Sequence, residues 1–343
     1  MLRTSEQTLT SEGGVRKFLT LADLKNEPPM EWLVEGLIPA KALVFVSGEP
    51  GKGKTTLVLN LLASMAAGSD CLAGHFKVPR PCRVAYLCGE KWPGVPLRVT
   101  AAAHAQGLDT EVPFYVHKGV PQLLDPTLGI PPKEVIEAIQ AEIPDGLDVV
   151  VIDTFAAATL GADEIDPKST KQVIDALQKL VSALDCTVVV LHHPAKGHKH
   201  GLRGSSVLLG AANTLIEIVS DGSVRRMVCG KQSDAEEFQD LPFRLVTSEL
   251  FPGAAVVDWL STMNPVETSW DKVFRFLEGE GGRRFTAGEI ARALDMQAPQ
   301  VRQLLGRELK NGVGRLCQGV AQVGMPTSKS NPNVYWLDSV PNT

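Results

Sequence analysis

Apolar positions along the chain fall into two alternating patterns. Residues 42–47, 83–87, 147–152 and 186–191 form short, almost unbroken apolar runs rich in β-branched side chains. Continuous apolarity over so few residues predicts strands buried on both faces. Between them, residues 56–67, 96–106 and 134–141 read as helices. Val173, Ile174, Leu177, Leu180, Val181 and Leu184 recur at helical spacing and predict a further helix packed by one face. Strand followed by helix, repeated, predicts an α/β fold with a mostly parallel sheet flanked by helices. Residues 214–219 and 224–229 are apolar runs joined by the turn Ser220-Asp221-Gly222-Ser223, which predicts a hairpin, and runs at 243–246 and 254–259 complete the sheet. The segment carrying Pro113, Pro121, Pro126, Pro131 and Pro132 is expected to be irregular, as is residues 155–166.

The ends of the chain read differently. Residues 1–30 are polar, contain Pro28-Pro29, and form an arm with one short helix around 19–24. A linker at 261–268 separates the core, 31–260, from a C-terminal piece, 269–343. There, residues 270–277 predict a helix, and Thr286 with Glu289 three positions on is a capping box for a second. Residues 298–310 predict a third, with Val301, Leu304, Leu305 and Leu309 on one face. Runs at 315–317 and 333–337 around a Gly/Ser/Pro-rich tip add two strands. Three helices and a β-wing make a winged helix, whose third helix presents Gln297, Gln300, Arg302, Gln303 and Arg307 outward, groups suited to holding duplex DNA. Docking of a protein partner is the other use of such a module.

Composition narrows the class. At 343 residues, 44% hydrophobic and 21% charged, the chain has the profile of a soluble globular protein. No apolar run reaches the roughly 20 residues that cross a bilayer, and the N-terminus lacks the basic-then-apolar order of a signal peptide, so a cytoplasmic protein with no membrane association is expected. The cysteines Cys71, Cys82, Cys88, Cys186, Cys229 and Cys317 form no C-x-x-C pair, and several sit in apolar runs; reduced core thiols are expected. The net charge of −5 argues against a generally basic coat for nucleic acid, but residues 265–343 carry 10 basic against 8 acidic side chains, leaving 24 against 31 elsewhere. Local clusters therefore decide what the chain binds.

The chemistry starts at Gly48-Glu49-Pro50-Gly51-Lys52-Gly53-Lys54-Thr55, which fits G-x-x-x-x-G-K-[ST] without a gap. In this P-loop pattern backbone N–H groups surround a phosphate, the lysine reaches the outer phosphates, and the helix N-terminus adds partial positive charge. A buried strand before it and a helix after it supply the context the motif requires. The cradle for ATP is thus Gly48 through Thr56, with the Thr55 hydroxyl placed to ligate Mg2+. Trp32, Leu33, Val34, Leu37 and Ile38, just upstream, are expected to cover the nucleotide base or the sheet edge.

Two acids follow at strand ends. Glu90 comes just past the strand at 83–87, where side chains project into the ligand crevice of a parallel sheet, and is a candidate for orienting the attacking water; a solvated loop glutamate is the bland alternative. Asp153 closes Val149-Val150-Val151-Ile152 and is placed near magnesium or its water. His193, after the strand at 186–191, is a neutral donor in reach of a γ-phosphate. Four of the seven histidines fall between His192 and His200, so a metal site is the rival reading of this stretch. Residues 195–206 then form a basic, glycine-rich segment with Lys196, Lys199, His200 and Arg203. It suits a phosphate backbone, and an ordinary solvated loop is the alternative.

In order along the chain, Glu31-Trp32-Leu33-Val34-Glu35-Gly36-Leu37-Ile38-Pro39, the P-loop, Tyr86-Leu87-Cys88-Gly89-Glu90, Val151-Ile152-Asp153-Thr154, Leu191-His192-His193-Pro194-Ala195-Lys196-Gly197 and Leu202-Arg203-Gly204-Ser205-Ser206 resemble the RecA-like ATPases related to the plasmid replicative helicase RepA, which carry an AAA-type domain. The likeness covers roughly residues 19–259 and leaves out the winged helix. The resemblance implies a ring, commonly hexameric, with ATP between subunits and single-stranded DNA or RNA in the central channel. It implies that Lys54 and Thr55 hold phosphate and magnesium, that Glu90 is the catalytic base, Asp153 the acid on the magnesium's water shell and His193 the γ-phosphate sensor, and that residues 196–203 line the pore. It also implies an arginine finger from the neighbouring subunit. Here the chain departs from the pattern, with Asn213 where the helicase carries its arginine; Arg203, Lys231 or Arg226 is left to substitute, or trans activation is weak, and Arg203 and Lys231 are the substitutes expected. Two functions follow: a helicase or replication motor of a plasmid, phage or other mobile element, or an ATP-gated regulator that binds an origin or operator through the winged helix.

Overall fold

The computed structural model describes residues 19–108, 112–161, 166–194, 201–202, 206–221, 224–260, 269–310, 316–320 and 333–337. The chain divides into two compact units, Met1–Glu31 and Trp32–Thr343. In the first, α1 (Leu21–Leu24) is started by Thr20, whose hydroxyl accepts from the Asp23 N–H while the Asp23 carboxylate accepts from the Thr20 N–H, a complete capping box.

The second unit runs β1 (Trp32–Val34), β2 (Ile38–Pro39), β3 (Leu43–Gly48), α2 (Lys54–Ala67), β4 (Val84–Cys88), α3 (Val95–Ala105), β5 (Phe114–Lys118), α4 (Pro132–Glu142), β6 (Val149–Asp153), α5 (Phe155–Ala158), α6 (Pro167–Leu184), β7 (Thr187–His192), α7 (Ser206–Ala211), β8 (Thr214–Asp221), β9 (Val224–Gln232), β10 (Leu241–Thr247) and β11 (Ala255–Trp259). One nine-stranded sheet has the order β11-β10-β9-β8-β3-β7-β6-β4-β5. From β8 to β5 every neighbouring pair is parallel; β8 through β11 pair antiparallel. The β8–β9 pair is the hairpin expected at 214–229.

Both faces of the parallel part are covered, which is why its strands read as continuous apolar runs. Val44, Val46, Val84, Tyr86, Val149, Val151, Val189 and Leu191 point to the face occupied by α2 and by Leu33, Val34, Leu37 and Ile38. The alternate residues Phe45, Ala85, Leu87, Val150, Ile152, Val188 and Val190 meet α4, α6 and α7 on the other face. The strand β11 returns against α2 and α3.

Three segments differ from the sequence reading. The proline-marked stretch contains β5, a largely exposed edge strand too short and polar to stand out. Residues 155–158 form a helical turn, capped by the Thr154 hydroxyl accepting from the Ala157 N–H. The Trp32 to Ile38 stretch makes the two-stranded β1–β2 pair, and Leu33, Val34, Leu37 and Ile38 are spent in the core.

The C-terminal part holds α8 (Ser269–Gly279), β12 (Phe285–Thr286), α9 (Ala287–Ala293), α10 (Ala298–Lys310), β13 (Leu316–Val320) and β14 (Asn333–Leu337), with a three-stranded antiparallel sheet ordered β12-β14-β13. Val273, Leu277, Ile290, Val301, Leu305, Tyr335 and Leu337 form a core of its own. Thr286 and Glu289 make the expected capping box. The residues 261–268, read as a linker, lie outside the described residues.

Candidate functional site

The strand β3 delivers the chain to Gly48 and α2 begins at Lys54, so Glu49 to Gly53 must turn within five residues. Glycine is demanded at two points. A Cβ on Gly48 would lie 2.9 Å from the Ile218 carbonyl oxygen of the neighbouring β8, and Gly53 has φ 98° with Leu245 Cδ1 2.9 Å from where its Cβ would be. The Arg225 guanidinium, from β9, donates to the Lys52 carbonyl at 3.0 Å and braces the turn.

Lys54 is 6% exposed, and its ammonium donates to the Gly48 carbonyl at 2.6 Å and the Glu49 carbonyl at 3.3 Å. Its Nζ is also 3.0 Å from His193 Nδ1. Burial pushes the lysine down to about 8, against the pull of the Asp153 and Glu90 charges. Burial and the adjacent ammonium both lower His193, which keeps the imidazole neutral at pH 7. The same Nδ1 lies 3.2 Å from the Gly48 carbonyl, so it accepts when it faces the Lys54 ammonium and donates when it faces the carbonyl. His192, one residue earlier, is buried and stacks against Phe155 instead.

The register of the sheet brings the acids in. Cys88 at the end of β4 lies opposite Asp153 at the end of β6, and β6 is one strand removed from β3. Asp153 Oδ2 accepts from the Thr55 hydroxyl at 2.7 Å and from the Tyr86 hydroxyl at 2.6 Å. Glu90 accepts from the Thr154 hydroxyl at 2.9 Å. A Cβ on Gly89 would lie 2.5 Å from Ala157 Cβ, so only glycine lets the end of β4 come this close to α5, the helical turn that follows β6.

Together these residues line a pocket of about 360 Å³ with Pro50, Gly51, Gly53, Lys54, Thr55, Thr56, Glu90, Asp153 and His193 among its walls. The expected cradle, the two acids and the histidine thus converge. Tyr86, Lys91, Arg98, Thr154 and Leu245 line the same space and were not legible as site residues. Tyr86 and Thr154 fall in stretches quoted for the resemblance without a role of their own; Tyr86 is two residues from Cys88 on the strand that leads to Glu90, and period two places it on the Asp153 side of the sheet. Arg98 is tethered by Nε to the Gly94 carbonyl at 3.0 Å, a contact set by α3 that no motif announces. Hydroxyl and carboxylate oxygens from Thr55 and Asp153 are the hard donors that Mg2+ prefers, and the arrangement fits that ion.

Other expected site residues fall elsewhere. Lys231 donates from Nζ to the Leu209 carbonyl at 2.9 Å and also bonds the Gly210 and Ala212 carbonyls, closing the C-terminus of α7. Asn213 accepts from the Leu43 N–H at 3.1 Å and ties β3 to the start of β8. Arg302 is exposed on α10, while the Arg307 side chain, together with Lys196, Lys199, His200 and Arg203, lies outside the described residues. The nearest described foot of that basic segment is Gly201, whose carbonyl accepts from the Ser47 hydroxyl at 2.7 Å and whose N–H donates to Glu217. None of Trp32, Leu33, Val34, Leu37 and Ile38 lines the pocket. Among the described residues no cluster of His, Cys, Asp and Glu is arranged to hold a metal by itself, and no helix is long and apolar enough to cross a membrane.

Comparison with known proteins adds two findings. A family profile described as an AAA domain matches residues 12–199. Among solved structures, a KaiC-like protein from the hyperthermophilic archaeon Pyrococcus horikoshii OT3 is similar at 14% identity over 66% of this chain and 93% of that one, with a TM-score of 0.42.

Proposed function

Since the chain belongs to the AAA-domain family matched over more than half its length, we propose that it is a RecA-like ATPase, a motor that hydrolyses ATP on single-stranded nucleic acid. The observation that carries this reading is the convergence of Lys54, Thr55, Asp153, Glu90 and His193 on one pocket. Mg2+, when bound, neutralises phosphate charge and orients the γ-phosphoryl group. The Gly48 to Thr56 backbone and Lys54 hold the phosphates, Thr55 and Asp153 hold the metal and its water, and Glu90 takes a proton from the attacking water. Thr154 donates to Glu90 and leaves it the acceptor capacity this role needs. With Nδ1 accepting from Lys54, His193 Nε2–H is the donor available to the γ-phosphate. The active form is a homo-oligomeric ring, hexameric by resemblance, with the segment of Lys196, Lys199, His200 and Arg203 toward the nucleic acid and Arg203 as a candidate finger.

A second reading is favoured by the C-terminal part. Three helices with a β12-β14-β13 sheet support a winged helix, with Arg302 on the exposed side of α10, and Asn213 and Lys231 both serve their own chain. On this reading ATP gates assembly and the winged helix binds duplex DNA.

The experiment is ATP hydrolysis with and without single-stranded DNA, alongside strand displacement on a fork and duplex footprinting. The motor reading expects hydrolysis that rises with single-stranded DNA, is abolished in Lys54→Ala, and drops at least a hundredfold in Glu90→Gln with ATP still bound. Hydrolysis indifferent to nucleic acid overturns it. A sequence-specific footprint without displacement selects the regulator.

A further inference from the structure

The motifs account for Asp153 but not for what fixes the direction of its carboxylate. We propose that Tyr86 is a positioning residue: its hydroxyl holds Asp153 in the orientation that grips magnesium, so this tyrosine sets how tightly the site takes up the metal. The inference rests on the nucleotide-site reading above and extends it to a residue to which that reading gave no role.

Register comes first. Tyr86 lies opposite Val151, and Asp153 is two residues further along β6, so the two side chains are diagonal neighbours on one face of a parallel pair. A diagonal neighbour about 7–8 Å away by backbone is within reach of an aromatic side chain. The hydroxyl closes that gap to 2.6 Å, and the ring is fully buried beneath α2.

The donor is then fixed. An ionised carboxylate offers only acceptors, so in this contact the phenol hydroxyl must be the donor. Among the described residues both hydrogen bonds to this carboxylate land on Oδ2, from Thr55 on α2 and Tyr86 on β4.

A carboxylate rotates easily about its last torsion. Thr55 alone could not pin it, because Thr55 itself turns its hydroxyl oxygen to the metal. Tyr86 supplies a second donor from the rigid sheet, so Oδ2 stays held when Thr55 turns away. Partners that orient a metal-binding group are worth about 10–100-fold in metal affinity. Phenylalanine keeps the packed ring and removes only the hydroxyl, so the substitution reads the hydrogen bond.

The full-length chain and its Tyr86→Phe variant would be titrated with a fluorescent, non-hydrolysable ATP analogue, first in EDTA and then across a Mg2+ series. The expected result is unchanged affinity in EDTA and a rise of about tenfold or more in the Mg2+ concentration that half-saturates the enhancement. An unchanged Mg2+ midpoint overturns the inference, and so does an equal loss of affinity with and without metal, which marks a structural effect. Should the variant melt too early to titrate, fluorotyrosine at position 86 keeps ring and hydroxyl and donates more strongly. It should lower the midpoint, and an unmoved one overturns the inference again. Failure of the unaltered protein to bind the analogue more tightly with Mg2+ would instead sink the reading of the site itself.

Discussion

At Lys54 burial and charge pull in opposite directions, and burial wins. The ammonium sits among the Gly48 and Glu49 carbonyls and beside His193, yet its pKa is held at about 8. An amine reacts with acylating reagents only when neutral. At pH 8 about half of Lys54 is neutral, against roughly 0.3% of an ordinary lysine. Without added nucleotide, Lys54 should therefore be the lysine labelled first at pH 8, its rate climbing between pH 7 and 9 and flattening above. ATP brings negative charge that raises the lysine again and covers it, so it should slow labelling at least tenfold. Mass spectrometry of the peptide reads both effects. Labelling that tracks exposed lysines, or ignores ATP, would contradict the site.

Between elements, the decisive contact is the one that ties the ends of β4 and β6. The Gly89 N–H donates to the Asp153 carbonyl at 2.7 Å, and the Thr154 hydroxyl donates to Glu90, so each strand end steadies the acid of the other. The space for this is supplied by a missing side chain: at Gly89 a Cβ would lie 2.5 Å from Ala157 and 3.0 Å from Val120. Gly89→Ala should lower stability by about 1–3 kcal/mol, the usual cost of overpacking a closed site. Urea denaturation would measure this, and ATP hydrolysis should fall further than stability does, because the strand end that carries Glu90 must move. Full stability in the variant would mean that the two strand ends are not in fact jammed together.

For the whole molecule the question is how many copies make a working particle. Arg203 lies outside the described residues, and Lys231 is committed to the end of α7. The motor reading, by resemblance, also expects a transition-state cation from a second subunit. Light scattering with and without a non-hydrolysable ATP analogue should show a monomer or small oligomer converting to a single ring-sized species, with Lys54→Ala failing to convert. A mass that stays at 36.9 kDa under both conditions would remove the ring. Deleting the chain from Pro265 onward should leave ATP binding intact, since α8 to β14 have a separate core; loss of ATP binding would show the two cores to be interdependent.

Local rules were enough for much of this. Runs such as Val149-Val150-Val151-Ile152 had to be strands covered on both faces, and the glycine-rich turn between such a run and a helix was legible as having the form of a phosphate cradle, because spacing and backbone freedom are written in neighbouring residues. The same holds for the acids at strand ends and for the Thr286–Glu289 cap. What the chain could not announce depends on which strands lie side by side. Only the β7 insertion between β3 and β6, and the β4–β6 register, put Tyr86 on Asp153 and Thr154 on Glu90. The bonds of Lys231, expected as a substitute finger, to the carbonyls at the end of α7 were hidden for the same reason, and β5 became a strand only because β4 offered it an edge. Hydrogen bonds between residues some 60 apart in sequence are decided by packing, which no local pattern contains.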